Sequence, residues 1–201
     1  MNEEQAQTAT KEEEFSWIRA ALNDDRSAFD KLVLCYQDKV FNLCYRMMGE
    51  FEEAGDCAQE TFVRAFRALK DFRFEARFST WIFAIAVNIC RNRLNSLEHR
   101  YRRRMVRIDS SPETTGGSSR FDIEDPAPDA LAQLTTREQE RMLQKAIDAL
   151  PGDAKTVTVL RDIEGLSYEE IARITGYNSG TVKSKLARAR QQLRLKLKGL
   201  I

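Results

Sequence analysis

Residues 109–133 restrict the fold more firmly than any other stretch of the chain; their central part reads PETTGGSSRFDIEDPAPD, over 112–129. The whole segment holds Pro112, Pro126 and Pro128, the pair Gly116-Gly117, four serines, six acids and one base, Arg120. Its large apolar residues are only Phe121, Ile123 and Leu131. Ordering a backbone costs about 1–2 kcal/mol per residue, and so little apolar surface cannot offset that. The segment therefore reads as a flexible acidic linker. It divides the chain into an acidic tail over 1–14, a domain over 15–108, the linker over 109–133 and a second domain over 134–201. At 42% hydrophobic and 31% charged, the 201 residues can fill two small cores and stay soluble.

Both halves carry a helical period. Phe29, Leu32, Val33, Tyr36, Val40, Leu43 and Met47 recur at steps of three and four. So do Ala58, Phe62, Ala65, Phe66 and Leu69, and again Trp81, Ile82, Ile85, Ala86 and Ile89. Ser79 or Thr80 is expected to cap a helix beginning at Trp81. After the linker, one helix is expected from about Leu134 to Leu150, stopped by Pro151-Gly152, and another from Asp153 to Glu164, ended by Gly165. No alternating strand pattern occurs, so the expected fold is all-α.

The stretch LSYEEIARITGYNSGTVKSKLARARQQL, from Leu166 to Leu193, reads as a helix-turn-helix. Ser167 and Glu170 have capping-box spacing. Ile171, Ala172 and Ile174 give a short first helix an apolar face. Gly176 can take the positive φ of a sharp turn, and Ser179 can cap the second helix. There Val182, Leu186, Ala189 and Leu193 form an inward stripe. Thr181, Ser184 and Arg188 point outward, with Lys183, Arg190 and Arg194 on a flank. Ala172, Gly176 and Val182 match the pattern of a DNA-binding unit whose second helix lies in the major groove. Lys and Arg can there bond guanine edges, and Ser and Thr can reach bases or phosphates.

Charge agrees with that reading. From Ile171 onward there are eight bases and no acid, and Arg91–Arg107 holds seven arginines against Glu98. Two basic blocks around an acidic one point to two contacts with a polyanion. In LKDFRFEARFSTW, over 69–81, aromatics interleave with Lys70, Arg73 and Arg77, the composition that grips unpaired bases by stacking and phosphates by charge. Phe78 and Trp81, at a helix start, suit the core. Phe72 and Phe74, in a charged stretch, are expected at the surface.

Other chemistries find no support. Cys35, Cys44, Cys57 and Cys90 lack metal or redox spacing, and three of them sit in apolar helical patterns, so packing is their expected role. There is no phosphate-cradling loop, zinc-protease motif or nucleophile elbow, so no enzyme, cofactor or metal is expected. No run of 18 apolar residues is present to span a membrane, and the acidic start is unlike a secretory signal, which leads to a cytoplasmic expectation.

Two blocks carry a family resemblance: AGDCAQETFVRAFRALKDFRFEARFSTWIFAIAVNICRNRL over 54–94 and LPGDAKTVTVLRDIEGLSYEEIARITGYNSGTVKSKLARARQQL over 150–193. The chain resembles the sigma-70 family of RNA polymerase initiation factors, of the extracytoplasmic-function type close to the envelope-stress sigma-E group. The resemblance implies an alternative sigma factor that binds core RNA polymerase, recognises the −35 and −10 promoter elements and promotes strand opening. Asp56, Gln59, Glu60 and Phe62 match the helix that docks on the β′ clamp helices. Lys70, Phe72, Arg73, Phe74, Arg77 and Phe78 match the loop that captures a flipped −10 base. Ser79, Thr80, Trp81, Asn88 and Arg91 match the helix beneath the melted strand. Thr181, Lys183, Ser184, Lys185 and Arg188 match the −35 recognition helix. Ser179 at its start and Arg190 on its flank are assigned to the same face, although the family often has proline where Ser179 stands.

The resemblance further implies contacts with the β subunit and a cognate anti-sigma factor, often membrane-anchored, that acts in a stress response. It implies no small-molecule substrate. A spacer of about 17 base pairs spans about 58 Å at about 3.4 Å per step. A 25-residue linker reaches about 80–90 Å extended but relaxes to about 25–30 Å, so polymerase is expected to set the domain spacing. The acidic linker is expected to follow polymerase's nucleic-acid channels. The alternative reading is a stand-alone helix-turn-helix regulator with a helical sensory domain.

Overall fold

A computed structural model describes residues 10–107 and 130–198, with backbone alone for 98–107 and 130–137. The described residues form helices and turns without a strand. Helix α1 covers Lys11–Leu22, α2 Arg26–Met48, α3 Phe51–Ala68 and α4 Phe78–Arg107. The second half has α5 Ala130–Asp148, α6 Gly152–Thr158, α7 Tyr168–Thr175 and α8 Ser179–Leu197. Helix α5 thus starts at Ala130, inside the stretch expected to be linker; residues 108–129 and the tail over 1–9 lie outside the described residues.

Local chemistry sets the boundaries. Thr10 and Glu13 close a capping box at the start of α1. The Asp25 carboxylate accepts from the Ser27 and Ala28 amides to start α2, and Gly49, at φ 78°, ends it. Helix α4 starts at Phe78, so Ser79 and Thr80 lie within its first turn rather than capping it at Trp81. The helix expected from Asp153 to Glu164 is two pieces: α6, then a wider π turn over Val159–Ile163.

In the first half, α2, α3 and α4 bury Leu32, Val40, Leu43, Ala65, Ile82 and Val87 between them. Tyr36 donates its hydroxyl to Glu14 at 2.7 Å and ties α1 to that bundle. Cys44, Cys57 and Cys90 bring one thiol from each of α2, α3 and α4 into the same core. A hydrogen bond with Cys90 and then burial push the Cys57 thiol far above the usual range, and a hydrogen bond with Cys44 and burial, outweighing the opposing bond with Cys57, do the same to Cys90, which leaves both protonated packing groups. Among the described residues no His, Cys, Asp and Glu cluster is arranged to hold a metal ion. The second half buries Val157, Leu160, Ile171, Val182 and Leu186 among α6, α7 and α8.

The halves dock on each other. The Lys155 ammonium, almost fully buried, donates to the Met47 carbonyl at 3.1 Å and to Asp148 at 2.8 Å. A cation there satisfies a carbonyl left orphaned where α2 ends and suits the negative end of that helix. Arg46 donates to Gln144 at 3.0 Å beside it. Gly49 lets the second half approach this closely, because a Cβ at that position would lie 2.9 Å from the Asp148 carboxylate oxygens.

Glu164 closes the π turn and faces a cleft between the halves that also holds Lys39. Burial pushes its carboxyl up to about 7, with Lys39 pulling the other way. Because the folded pKa exceeds the unfolded one, folding favours the protonated form. Stability therefore declines as pH rises from the ordinary glutamate range towards 7. Glu164→Gln, neutral throughout, is expected to match the wild-type melting temperature at pH 4.5 and to exceed it at pH 8; thermal unfolding across that range checks this.

Candidate nucleic-acid interface

The helix-turn-helix is built as its residues dictate. Ser167 accepts from the Glu170 amide at 3.2 Å while the Glu170 carboxylate accepts from the Ser167 amide at 2.9 Å. Gly176 adopts φ 74° at the turn. The cap of α8 is Asn178 rather than Ser179, its carbonyl oxygen accepting from the Thr181 amide at 2.7 Å. An Asn side chain one residue earlier supplies the acceptor expected of the Ser179 hydroxyl. Val182, Leu186 and Ala189 are buried, which turns Lys183, Ser184 and Arg188 outward as an exposed polar row.

Two assigned cations of α8 are held elsewhere. Lys185 donates to Asp153 at 3.0 Å and lies 5.0 Å from the Tyr177 ring centroid. Arg190 makes a two-pronged contact with Asp162, 3.1 Å at Nε, and that carboxylate pushes its guanidinium pKa up. Thr181 and Ser179 are half-buried.

The stretch 70–78 differs most from expectation. Phe72 is 7% exposed and Phe78 1% exposed, so the surface position expected for Phe72 is wrong. The segment is amphipathic: Lys70, Arg73, Glu75 and Arg77 lie towards solvent while Phe72 and Phe78 face in. Phe74 is half-buried, with φ 58°, and its ring stands 4.9 Å from Phe72 and 4.7 Å from Phe15. Trp81 completes the aromatic cluster at 5.3 Å from Phe72 and 5.4 Å from Phe78. Phe15 escapes sequence reasoning because it lies in α1, far back along the chain.

Along α4 the residues from Phe78 to Arg91 are buried or half-buried except Asn88. Thr80, 3% exposed, donates to Glu170 of α7 at 3.0 Å. Arg91 donates to Asp153 at 2.9 Å and to the Tyr177 hydroxyl at 3.1 Å. Of the −10 set, Lys70, Arg73, Arg77 and Asn88 lie towards solvent, Ser79 is half-buried, and Phe72, Phe78 and Thr80 are covered.

A second face lies on α3. Asp56 and Gln59 are exposed, and Glu60 and Phe62 half-buried. Arg93 fixes the face from behind, donating to Glu53 at 2.6 Å and to Asp56 at 3.0 Å. Val63 and Phe66, 44% and 47% exposed, extend Phe62 into an apolar strip. Phe66 fits a core position by its helical spacing; one residue beyond Ala65, it has rotated out to the rim.

Comparison with known proteins places these faces in context. Residues 32–101 match the family model for sigma-70 region 2 and residues 140–193 that for sigma-70 region 4. The RNA polymerase sigma-H factor of Pseudomonas aeruginosa is 36% identical, over 96% of this chain and 97% of that protein. The ECF RNA polymerase sigma-E factor of Haemophilus influenzae is also 36% identical, over 92% and 95%. Among solved structures, the sigma factor RpoE of Bartonella quintana, in complex with the anti-sigma factor NepR, superposes with TM-score 0.61 at 25% identity, over 85% of this chain and 96% of that one. CnrH in complex with the cytosolic domain of CnrY has the same fold, with TM-score 0.67 at 20% identity over 94% and 99%.

The placement of α8 rests on its cap. Asn178→Ala is expected to lower the stability of the full chain by about 1 kcal/mol, read as a lower urea midpoint at unchanged slope.

Proposed function

From its membership of the sigma-70 family, in which this chain is a sigma factor of the extracytoplasmic-function type, we propose how its surfaces divide the work of promoter recognition. The strip Asp56, Gln59, Phe62, Val63 and Phe66 on α3 docks on the clamp helices of core RNA polymerase. The outward row Lys183, Ser184 and Arg188 on α8 reads the −35 element in the major groove. The segment Lys70–Phe78 with α4 receives the −10 strand. Arg73, Arg77 and Lys70 meet phosphates, and the aromatic cluster of Phe72, Phe74, Phe78 and Trp81 forms the floor against which an unstacked base is held. Unstacking costs a few kcal/mol per step, which the stacking floor and the phosphate contacts offset.

The observation that carries this division is the α8 row. It stands on a capped helix with a buried stripe behind it, and no acid follows Ile171 to oppose a phosphate backbone. The chain supplies promoter choice and strand opening, while the nucleotidyl chemistry belongs to polymerase. Regulation is by a cognate anti-sigma factor; the similar RpoE was solved with one bound. None of the described helices is long and apolar enough to cross a membrane. A cytoplasmic location, with any membrane tether supplied by that inhibitor, is part of the proposal.

In run-off transcription with purified core polymerase on fragmented genomic DNA of the source organism, addition of this chain is expected to yield transcripts with discrete starts. Arg188→Ala should reduce them about tenfold or more, since a good bidentate base contact is worth about 1–3 kcal/mol, while its binding to core enzyme stays unchanged. No discrete transcripts, and no binding to core enzyme, would overturn the assignment.

A further inference from the structure

The segment assigned to the −10 strand has no backbone scaffold of its own. It runs from a single turn at Leu69–Asp71 to the start of α4 at Phe78. Among the described residues, no backbone hydrogen bond involves Arg73, Phe74, Glu75 or Ala76. Side-chain packing must therefore set the shape of the loop. Phe74 sits at its centre with φ 58°, one of two positive values outside glycine among the described residues. A bulky side chain is strained in that region. Such strain persists only where the surroundings enforce it, and it gathers at functional sites.

Two rings enforce it here. Phe72, buried against Phe78 and Trp81, stands 4.9 Å from Phe74. Phe15 of α1 stands 4.7 Å away, its plane tilted by 33°. Phe15 is 45% exposed, so it adds little to the core of the bundle. The helix beneath it is nevertheless firmly seated: Glu14 accepts from Tyr36, and Ile18, one turn further on, is buried. The Arg19 guanidinium lies 5.5 Å from the Phe15 ring centroid. The other positive-φ residue, Asp24, follows α1 and pairs with Lys70 at the head of the loop, 3.6 Å away. That pair is exposed and weak, so the aromatic contact is the main brace.

We propose that Phe15 is a positioning residue for promoter opening. Its ring holds Phe74 in the left-handed pose, and Phe74 in turn fixes the directions of Arg73 and Arg77 on either side of it. Phe15 acts through Phe74 and needs no contact with DNA. A loop already in shape does not have to be ordered when the unstacked strand arrives, which preserves affinity for it. The role in opening rests on the sigma-factor reading above.

The test has two arms, both on the full chain. In the first, without polymerase, limited trypsin digestion reads the loop through cleavage after Arg73 and Arg77, with Lys39 in α2 as the reference site. Phe15→Ala should speed cleavage in the loop about threefold or more, the range of an aromatic pair, and leave Lys39 unchanged. Phe15→Tyr, which keeps the ring, should match wild type. Phe74→Gly, which adopts φ 58° without strain, should loosen the loop by itself, and adding Phe15→Ala to it should change the rate by less than about twofold. Should Phe15→Ala fail to fold by circular dichroism, Phe15→Leu is judged by the same criteria. Equal loop cleavage in Phe15→Ala and wild type, equal acceleration at Lys39, or the full effect persisting beside Phe74→Gly would each overturn the proposal. In the second arm, with core polymerase, permanganate reactivity of unpaired thymines at a promoter recovered from its own transcript starts should fall about threefold or more in Phe15→Ala, with core binding unchanged and Phe15→Tyr as wild type. Normal opening by Phe15→Ala would overturn the role in opening. Failure of wild type to transcribe would strike the sigma-factor reading instead, and the digestion would still decide whether Phe15 holds the loop.

Discussion

Helix α4 is apolar around most of its circumference over its first four turns, and the rest of the molecule answers to that. A helix of this kind must be covered on more than one side. Ile82, Phe83, Ala86, Val87 and Cys90 fill the bundle made with α2 and α3. Trp81, Ala84 and Ile85 are left on another side, where α7 packs. The residues that would touch a melted strand therefore share a helix with residues that seek an apolar partner. In the folded chain that partner is the helix-turn-helix.

Electrostatics reinforces the same choice. A net charge of +1 hides two strongly basic stretches, and in the folded chain acids of the second half meet Arg91, Lys185 and Arg190. Asp153 faces Arg91 and Lys185, Asp162 faces Arg190, and Glu170 accepts from Thr80. None of these acids is in the acid-free stretch from Ile171 onward; they come from α6, the π turn and the start of α7. Lys185 and Arg190 thus meet acids from adjacent elements of their own half, and Arg91 meets one across the interface.

Features fixed by neighbours in the chain are legible in the sequence. The Ser167–Glu170 box, the left-handed Gly176 and the Val182–Leu186–Ala189 stripe each depend on contacts within a few residues, and each stands as read. Features fixed by distant partners are not. Phe72 looks exposed because its neighbours are charged, yet its ring turns in against Phe74, Phe78 and Trp81. Phe66 looks buried because its helical period fits, yet the period does not say where the buried arc ends. Asn178 and Ser179 are both good caps, and the first to offer an oxygen to Thr181 takes the place. Nothing local can show that Lys155 belongs to Met47, or that Arg91 and Lys185 share Asp153.

The bond from Lys155 to Met47 joins residues 108 apart in the chain. During synthesis the amino-terminal bundle leaves the ribosome first, and at about 5–20 residues per second Lys155, 48 residues beyond the end of α4 at Arg107, follows about 2–10 s later. A small helical bundle folds far faster than that. Each newly made molecule therefore passes through an interval in which α3 and α4 are formed and nothing yet covers the outer side of α4. Nascent chains and finished ones are thereby different reagents, and a polymerase close to the site of translation would meet the uncovered form first.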